Sequence, residues 1–140
     1  MTNERPLRVL VADDNPDSAD SLAILMRMSG HEAQTAHDGE EAMRIAVSGW
    51  PDIAVLDIDM PVLSGYDIAK AVRAKAQRTA LIALTGWTRD VERDKARAAG
   101  FDTFLTKPVD FDQLDSLLDG LKDRPRGEEL RNAEPLAANG

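Results

Sequence analysis

Cysteine is absent from all 140 residues, which excludes a disulfide framework and a zinc–thiolate centre together. No apolar run approaches the roughly 20 residues that a membrane helix needs. The first residues, Met1 to Pro6, are polar and unlike a leader. These absences point to a cytoplasmic protein with no membrane partner. Basic residues are in deficit, with 17 Lys and Arg against 25 Asp and Glu and a formal net charge of −8. Nucleic acid is held through clustered cations and counterion release, so DNA or RNA as a partner is disfavoured. No repeat of supersecondary size is present either.

What is present is an alternation of strands and helices. At 43% hydrophobic content, 140 residues suit one globular domain with a core that stands without staples. Leu7 to Ala12 is a near-continuous apolar run, as expected of a strand covered on both faces. Asp17 to Met28 follows with helical spacing at Leu22, Leu25, Met26 and Met28, and Gly30 ends that helix with a left-handed cap. Glu32 to Ala36 alternates and reads as an edge strand. A helix from Asp38 or Gly39 to Ser48 buries Ala42, Ile45 and Ala46.

The second half repeats the pattern with strands at Ile53 to Asp57, Ala80 to Thr85 and Thr103 to Thr106. Helices fall at Ser64 to Lys75, capped by Ser64, at Arg89 to Ala99, and at Asp110 to Leu121. The last carries Leu114, Leu117, Leu118 and Leu121 at core spacing, whereas the highly charged fourth helix has only Val91 among its alanines. Strict alternation predicts a parallel sheet with helices on both faces, because right-handed crossovers each need a helix. Residues 1–122 thus form one α/β domain. Residues 123–140, polar and without apolar periodicity, read as a disordered tail.

If the runs are neighbouring parallel strands, their carboxyl ends share one edge, where open α/β sheets bind and react. Asp13 and Asp14 close the first run, Asp57 closes the third, and Lys107 with Pro108 follows the fifth. Several carboxylates within a few ångströms are costly unless protons or a cation neutralise them. Oxygen ligands that leave positions open for water and phosphate suit Mg²⁺. An Asp-Asp pair alone reads more readily as a solvated loop or helix cap than as a site, and the company of Asp57 and Lys107 decides against that.

The motifs VLVADDN at 9–15, VLDIDMPVLSGYD at 55–67, IALTG at 82–86 and FLTKPVD at 104–110 resemble the receiver domain of bacterial response regulators. The resemblance covers roughly residues 7 to 121. It implies a flavodoxin-like, doubly wound five-stranded sheet in the order 2-1-3-4-5. It also implies a phosphoacceptor protein of a two-component or phosphorelay system. Asp57 takes a phosphoryl group from a histidine kinase or histidine phosphotransfer protein, with Mg²⁺ as cofactor and no dedicated enzyme activity. By the same resemblance Asp14 binds the metal directly, Asp13 through water and Asp59 through its backbone carbonyl. Lys107 pairs with a phosphate oxygen across a cis Lys107–Pro108 bond. Thr85 and Phe104 form the switch, with phenylalanine where many members carry tyrosine.

Two other classes share parts of this pattern. Asp57-x-Asp59 after a strand is how haloacid dehalogenase phosphatases begin, yet there the motif lies on the first strand and the metal-binding acidic pair follows it. A flavodoxin-type module needs a hydroxyl- and glycine-rich phosphate loop after strand one, where this chain has Asp13, Asp14 and Asn15. A receiver excised from a hybrid histidine kinase stays open, while direct transcriptional control is not expected without an output domain. Asp59 and Trp87 flank the site as tuning positions. His31 and His37 read as surface residues, Trp50 as packing at a helix end, and Met26, Met28 and Met43 as core. The charges of 89–97 balance, as on a solvated helix face.

Overall fold

The computed structural model describes residues 6–60, 62–75, 78–86 and 90–122, and within them the apolar runs become five parallel strands. These are β1 (Arg8–Ala12), β2 (Glu32–Ala36), β3 (Ile53–Asp57), β4 (Ala80–Thr85) and β5 (Thr103–Thr106). They alternate with helices α1 (Pro16–Met28), α2 (Gly39–Ala46), α3 (Gly65–Ala74), α4 (Asp90–Ala99) and α5 (Phe111–Lys122). The sheet order is β2-β1-β3-β4-β5, so the alternating β2 does lie at an edge. The Leu121 side chain, Trp87, Arg89 and the expected tail at 123–140 lie outside what is described.

Side chains of the central strands point alternately to two cores. Val9, Val11, Ile53, Val55, Ile82 and Leu84 meet Ala19, Leu22 and Met26 of α1 and Leu114 and Leu118 of α5. Leu10, Ala12, Ala54, Leu56, Leu81 and Ala83 meet α2, α3 and α4. Handedness explains the split. The step from β1 to β2 runs against the later steps across the sheet, so a right-handed crossover places α1 on the opposite face from α2, α3 and α4.

Helix starts follow local chemistry. The Asn15 side chain accepts from the N–H groups of Asp17 and Ser18 ahead of Pro16, Asp38 caps α2, and Ser64 with Asp67 forms a capping box on α3. Gly30 stands at φ 95° just beyond α1, as its left-handed cap requires. Gly120 in α5 is different, since a Cβ there would meet nothing within 4 Å. Gly120→Ala is therefore expected to raise stability by about 0.5 kcal/mol, read as a higher denaturation midpoint.

Three expectations about burial need correction. Leu25 and Met28 are exposed at 38% and 78%, because the face of α1 that meets the sheet is set by Ala19, Leu22 and Met26. His31 is buried, not a surface residue: the turn at Gly30 brings it under β1, where Nδ1 accepts from Leu7 N–H at 3.2 Å. Val91 is 54% exposed, and among the described side chains of α4 the buried ones are Ala96 and Ala99. His37 is a surface residue, beside Asp20 at 3.1 Å, and Trp50 and Met43 pack against the second core.

Candidate functional site

Register brings the predicted residues to one edge. Ala12 lies opposite Leu56, Asp57 opposite Leu84, and Thr85 opposite Thr106. The ladder continues one step past each strand: Asp13 N–H donates to Ala36 O (3.1 Å), Ile58 N–H to Leu84 O (3.1 Å), and Lys107 N–H to Thr85 O (2.8 Å). Asp13, Asp57 and Lys107 are thereby carried on rigid backbone rather than on free loops. The Lys107–Pro108 peptide is cis.

The Asp57 carboxylate is buried at 1% exposure and held at both oxygens. Asp59 N–H donates to Oδ1 and Lys107 Nζ to Oδ2, each at 2.9 Å. Lys107 Nζ also lies 3.5 Å from Asp13 Oδ2, and Asp13 Oδ1 accepts from Asn15 N–H at 3.0 Å. Carboxylate oxygens of Asp13, Asp14 and Asp57 come within 4.8 Å of one another, with Asp14 the exposed member. Two buried carboxylates and one exposed one, sharing a single lysine, are a donor set for a hard divalent cation.

Charge and burial act on these groups in opposite senses. Burial pushes the Asp13 carboxyl above its ordinary value, the Asn15 N–H bond pulls it back, and the Asp57 charge pushes it up again. Burial draws Lys107 down, but the hydrogen bond and charge of Asp57, then Asp13, more than offset it and its net shift is upward. A carboxyl raised on folding contributes stability below the ordinary carboxylate range and loses it as pH rises through the raised value. At neutral pH the Asp13 charge therefore opposes folding of the metal-free chain. Asp13→Asn should raise the thermal midpoint at pH 7, with the gain lost as pH falls through the ordinary carboxylate range, in thermal melts across pH.

Thr85 ends β4 at 2% exposure. Phe104 is half-buried on β5, with the Arg93 guanidinium 4.8 Å above its ring. The charged face of α4 is thus only partly solvated, since Arg93 and Lys95 cover the rings of Phe104 and Tyr66. Asp59 exposes its side chain, and burial followed by the charges of Glu92 and Asp59 raises the Tyr66 phenol. On the other side, a groove of about 480 Å³ runs from Asp13 and Lys107 between α1, at Leu22 and Leu25, and Val109. Sequence reading missed Gly39, Gly65, Arg73 and Asp102. Asp-Gly at 38–39 is a turn signal that could have drawn attention to the first of them.

Over residues 9–119 the chain matches the response regulator receiver domain. It belongs to that family. A transcriptional regulatory protein PrrA of Mycobacterium leprae is 37% identical over 93% of this chain and 56% of its own length. The response regulator MprA of Mycobacterium ulcerans is 31% identical over 94% and 56%. The chain thus spans just over half the length of these curated relatives. Among solved structures, a Francisella response regulator receiver domain has a TM-score of 0.78 at 30% identity, covering 84% of this chain and 98% of its own. The receiver domain of the sensor histidine kinase PA1611 from Pseudomonas aeruginosa was solved with magnesium coordinated in its active-site cleft. It has a TM-score of 0.74 at 28% identity, over 83% and 97%. The flavodoxin-like order expected from the motifs is the observed one, and the family is that of two-component receivers, not that of the haloacid dehalogenase phosphatases.

Proposed function

We propose that this receiver is a cytoplasmic, phosphorylation-controlled switch with Asp57 as its phosphoacceptor. The observation that carries the reading is the Asp57 carboxylate: buried, held at both oxygens at 2.9 Å, and beside two further carboxylates. The donor is a phosphohistidine on a histidine kinase or phosphotransfer protein. An Asp57 oxygen attacks phosphorus, the P–N bond breaks, and imidazole leaves with its electron pair. Lys107 then meets the transferred phosphoryl oxygens as a compact point charge.

Mg²⁺ fits the donor set and would be held by Asp13, Asp14, Asp57 and the Asp59 backbone carbonyl. When bound it neutralises charge on the phosphoryl oxygens. Thr85 and Phe104 pass the change to α4, whose buried side chains among those described are two alanines. The groove along α1 supports donor approach from that side. The acting unit is residues 1–122, with 123–140 as a tail, and its downstream target is a protein, as the net charge of −8 disfavours DNA contact by this domain.

The test is to incubate the chain with acetyl phosphate and Mg²⁺, then locate the adduct by borohydride reduction and peptide mass spectrometry. One phosphoryl group on Asp57, lost on chelation, is the expected result. An adduct elsewhere, or labelling indifferent to chelation, overturns the reading.

A further inference from the structure

Two glycines bound the segment between Asp57 and α3. A Cβ at Gly39 would overlap the carbonyl oxygen of Leu63 and stand 2.7 Å from its Cβ and 3.0 Å from its carbonyl carbon. A Cβ at Gly65 would stand 2.9 Å from both the carbonyl oxygen of Asp57 and the Cα of Ile58. Most of these neighbours are main-chain atoms, which cannot swing aside as a side chain does. The first residues of α2 and α3 therefore seat directly on the backbone that carries Asp57 and Leu63.

Between the two contacts Val62 sits at φ 70° and is 87% exposed. A β-branched residue disfavours that left-handed conformation, and its own side chain gains no burial in return. The backbone conformation at Val62 is thus imposed by its surroundings, with the neighbouring Leu63 resting against the start of α2. The same segment includes Asp59, whose N–H orients Asp57 Oδ1 at 2.9 Å. The start of α2 is itself fixed, since Asp38 Oδ1 accepts from Glu41 N–H at 2.8 Å and Glu41 Oε1 accepts from His37 N–H at 3.1 Å.

We propose that Gly39 is a positioning residue for the phosphoacceptor site. The start of α2 is a buttress that, through Leu63, sets the main chain of Asp59 against the Asp57 carboxylate. Only glycine leaves room for that contact. The inference rests on Asp57 being the phosphoacceptor, and it adds a requirement on an element that contributes no group to the chemistry.

The test compares the full chain with Gly39→Ala, with Asp38→Ala, which keeps the glycine but loosens the start of α2, and with Gly120→Ala as a remote control. Amide exchange of the metal-free proteins is read at Asp59 and, as a reference for global stability, at Ala83 in β4. Gly39→Ala should speed exchange at Asp59 relative to Ala83. It should also slow labelling by acetyl phosphate and raise the half-saturating Mg²⁺ by about ten-fold, because a misplacement of about 1 Å suffices. Asp38→Ala should show the same changes in smaller measure, and Gly120→Ala should show none of them.

Exchange that rises equally at Asp59 and Ala83, with Mg²⁺ dependence unchanged, would reduce Gly39 to a stability residue and overturn the proposal. If Gly39→Ala does not fold, Asp38→Ala decides by the same criteria. A wild-type chain that fails to label on Asp57 sinks the phosphoacceptor reading instead. The exchange arm, which involves no phosphoryl transfer, still judges the buttress in that case.

Discussion

Asp57→Asn should accept no measurable phosphoryl group from acetyl phosphate, while Lys107→Ala should still label Asp57 at a rate lower by about 10²-fold. The contrast follows from what each group does. On the proposed reading Asp57 is the nucleophile, and an amide at that position would offer neither a carboxylate oxygen nor a way to form the acyl phosphate. Lys107 makes no bond to phosphorus. Its Nζ, 2.9 Å from Asp57 Oδ2 and 3.5 Å from Asp13 Oδ2, would supply a positive charge where negative charge accumulates on transfer. Electrostatic help of this kind changes a rate without deciding whether the reaction occurs. Intact-mass spectra over time read both variants. Equal rates for wild type and Lys107→Ala would remove the lysine from the transfer step.

Asp102→Ala should cost about 3 kcal/mol of stability without altering the phosphorylation rate of the folded fraction. The Asp102 side chain is only 1% exposed, and its Oδ2 accepts from Arg73 at 2.8 Å and from Leu81 N–H at 2.8 Å. The same arginine donates Nε to Gly100 O at 3.0 Å and its terminal nitrogen to Thr79 O at 2.9 Å. One pair thus joins α3, the start of β4 and the turn into β5, away from the strand ends that carry the site. Removing the carboxylate leaves a buried backbone donor without its acceptor and a half-buried guanidinium without its counter-charge. Urea denaturation measures the loss. The double variant Asp102→Leu with Arg73→Met should be less damaged than Asp102→Ala alone, because it leaves no buried charge behind. A double variant as unstable as the sum of both single changes would contradict that account.

The strand ladder was legible because its signal is local. An apolar run covered on both faces, or an alternation such as Glu32 to Ala36, is visible within five or six residues, and the order of elements then restricts the topology. The acidic edge was legible for a related reason. In a parallel sheet every strand ends on the same side, so Asp13, Asp57 and Lys107 had to converge once the runs were read as neighbours, as their distances show. Helix faces were harder. Leu25 and Met28 share helical spacing with Leu22 and Met26, yet a periodicity broad enough for both does not say which stripe the sheet will cover.

Contacts between distant segments left no mark in the sequence. Nothing near His31 shows that its ring will accept from Leu7, 24 residues earlier, and nothing near Arg73 names Asp102, 29 residues later. Arg93 reads as one charge among balanced charges until Phe104 is placed beneath it. Gly39 reads as a turn residue until the Leu63 carbonyl occupies the space a side chain would take. The sequence by itself determined the element order and the residues at the strand ends, since backbone propensity and apolar period act over a few residues. Only the tertiary structure decided which side chains are buried at the margins and what holds the acidic edge in place. Those depend on the approach of elements remote in the chain, where a shift of an ångström turns a contact into an overlap.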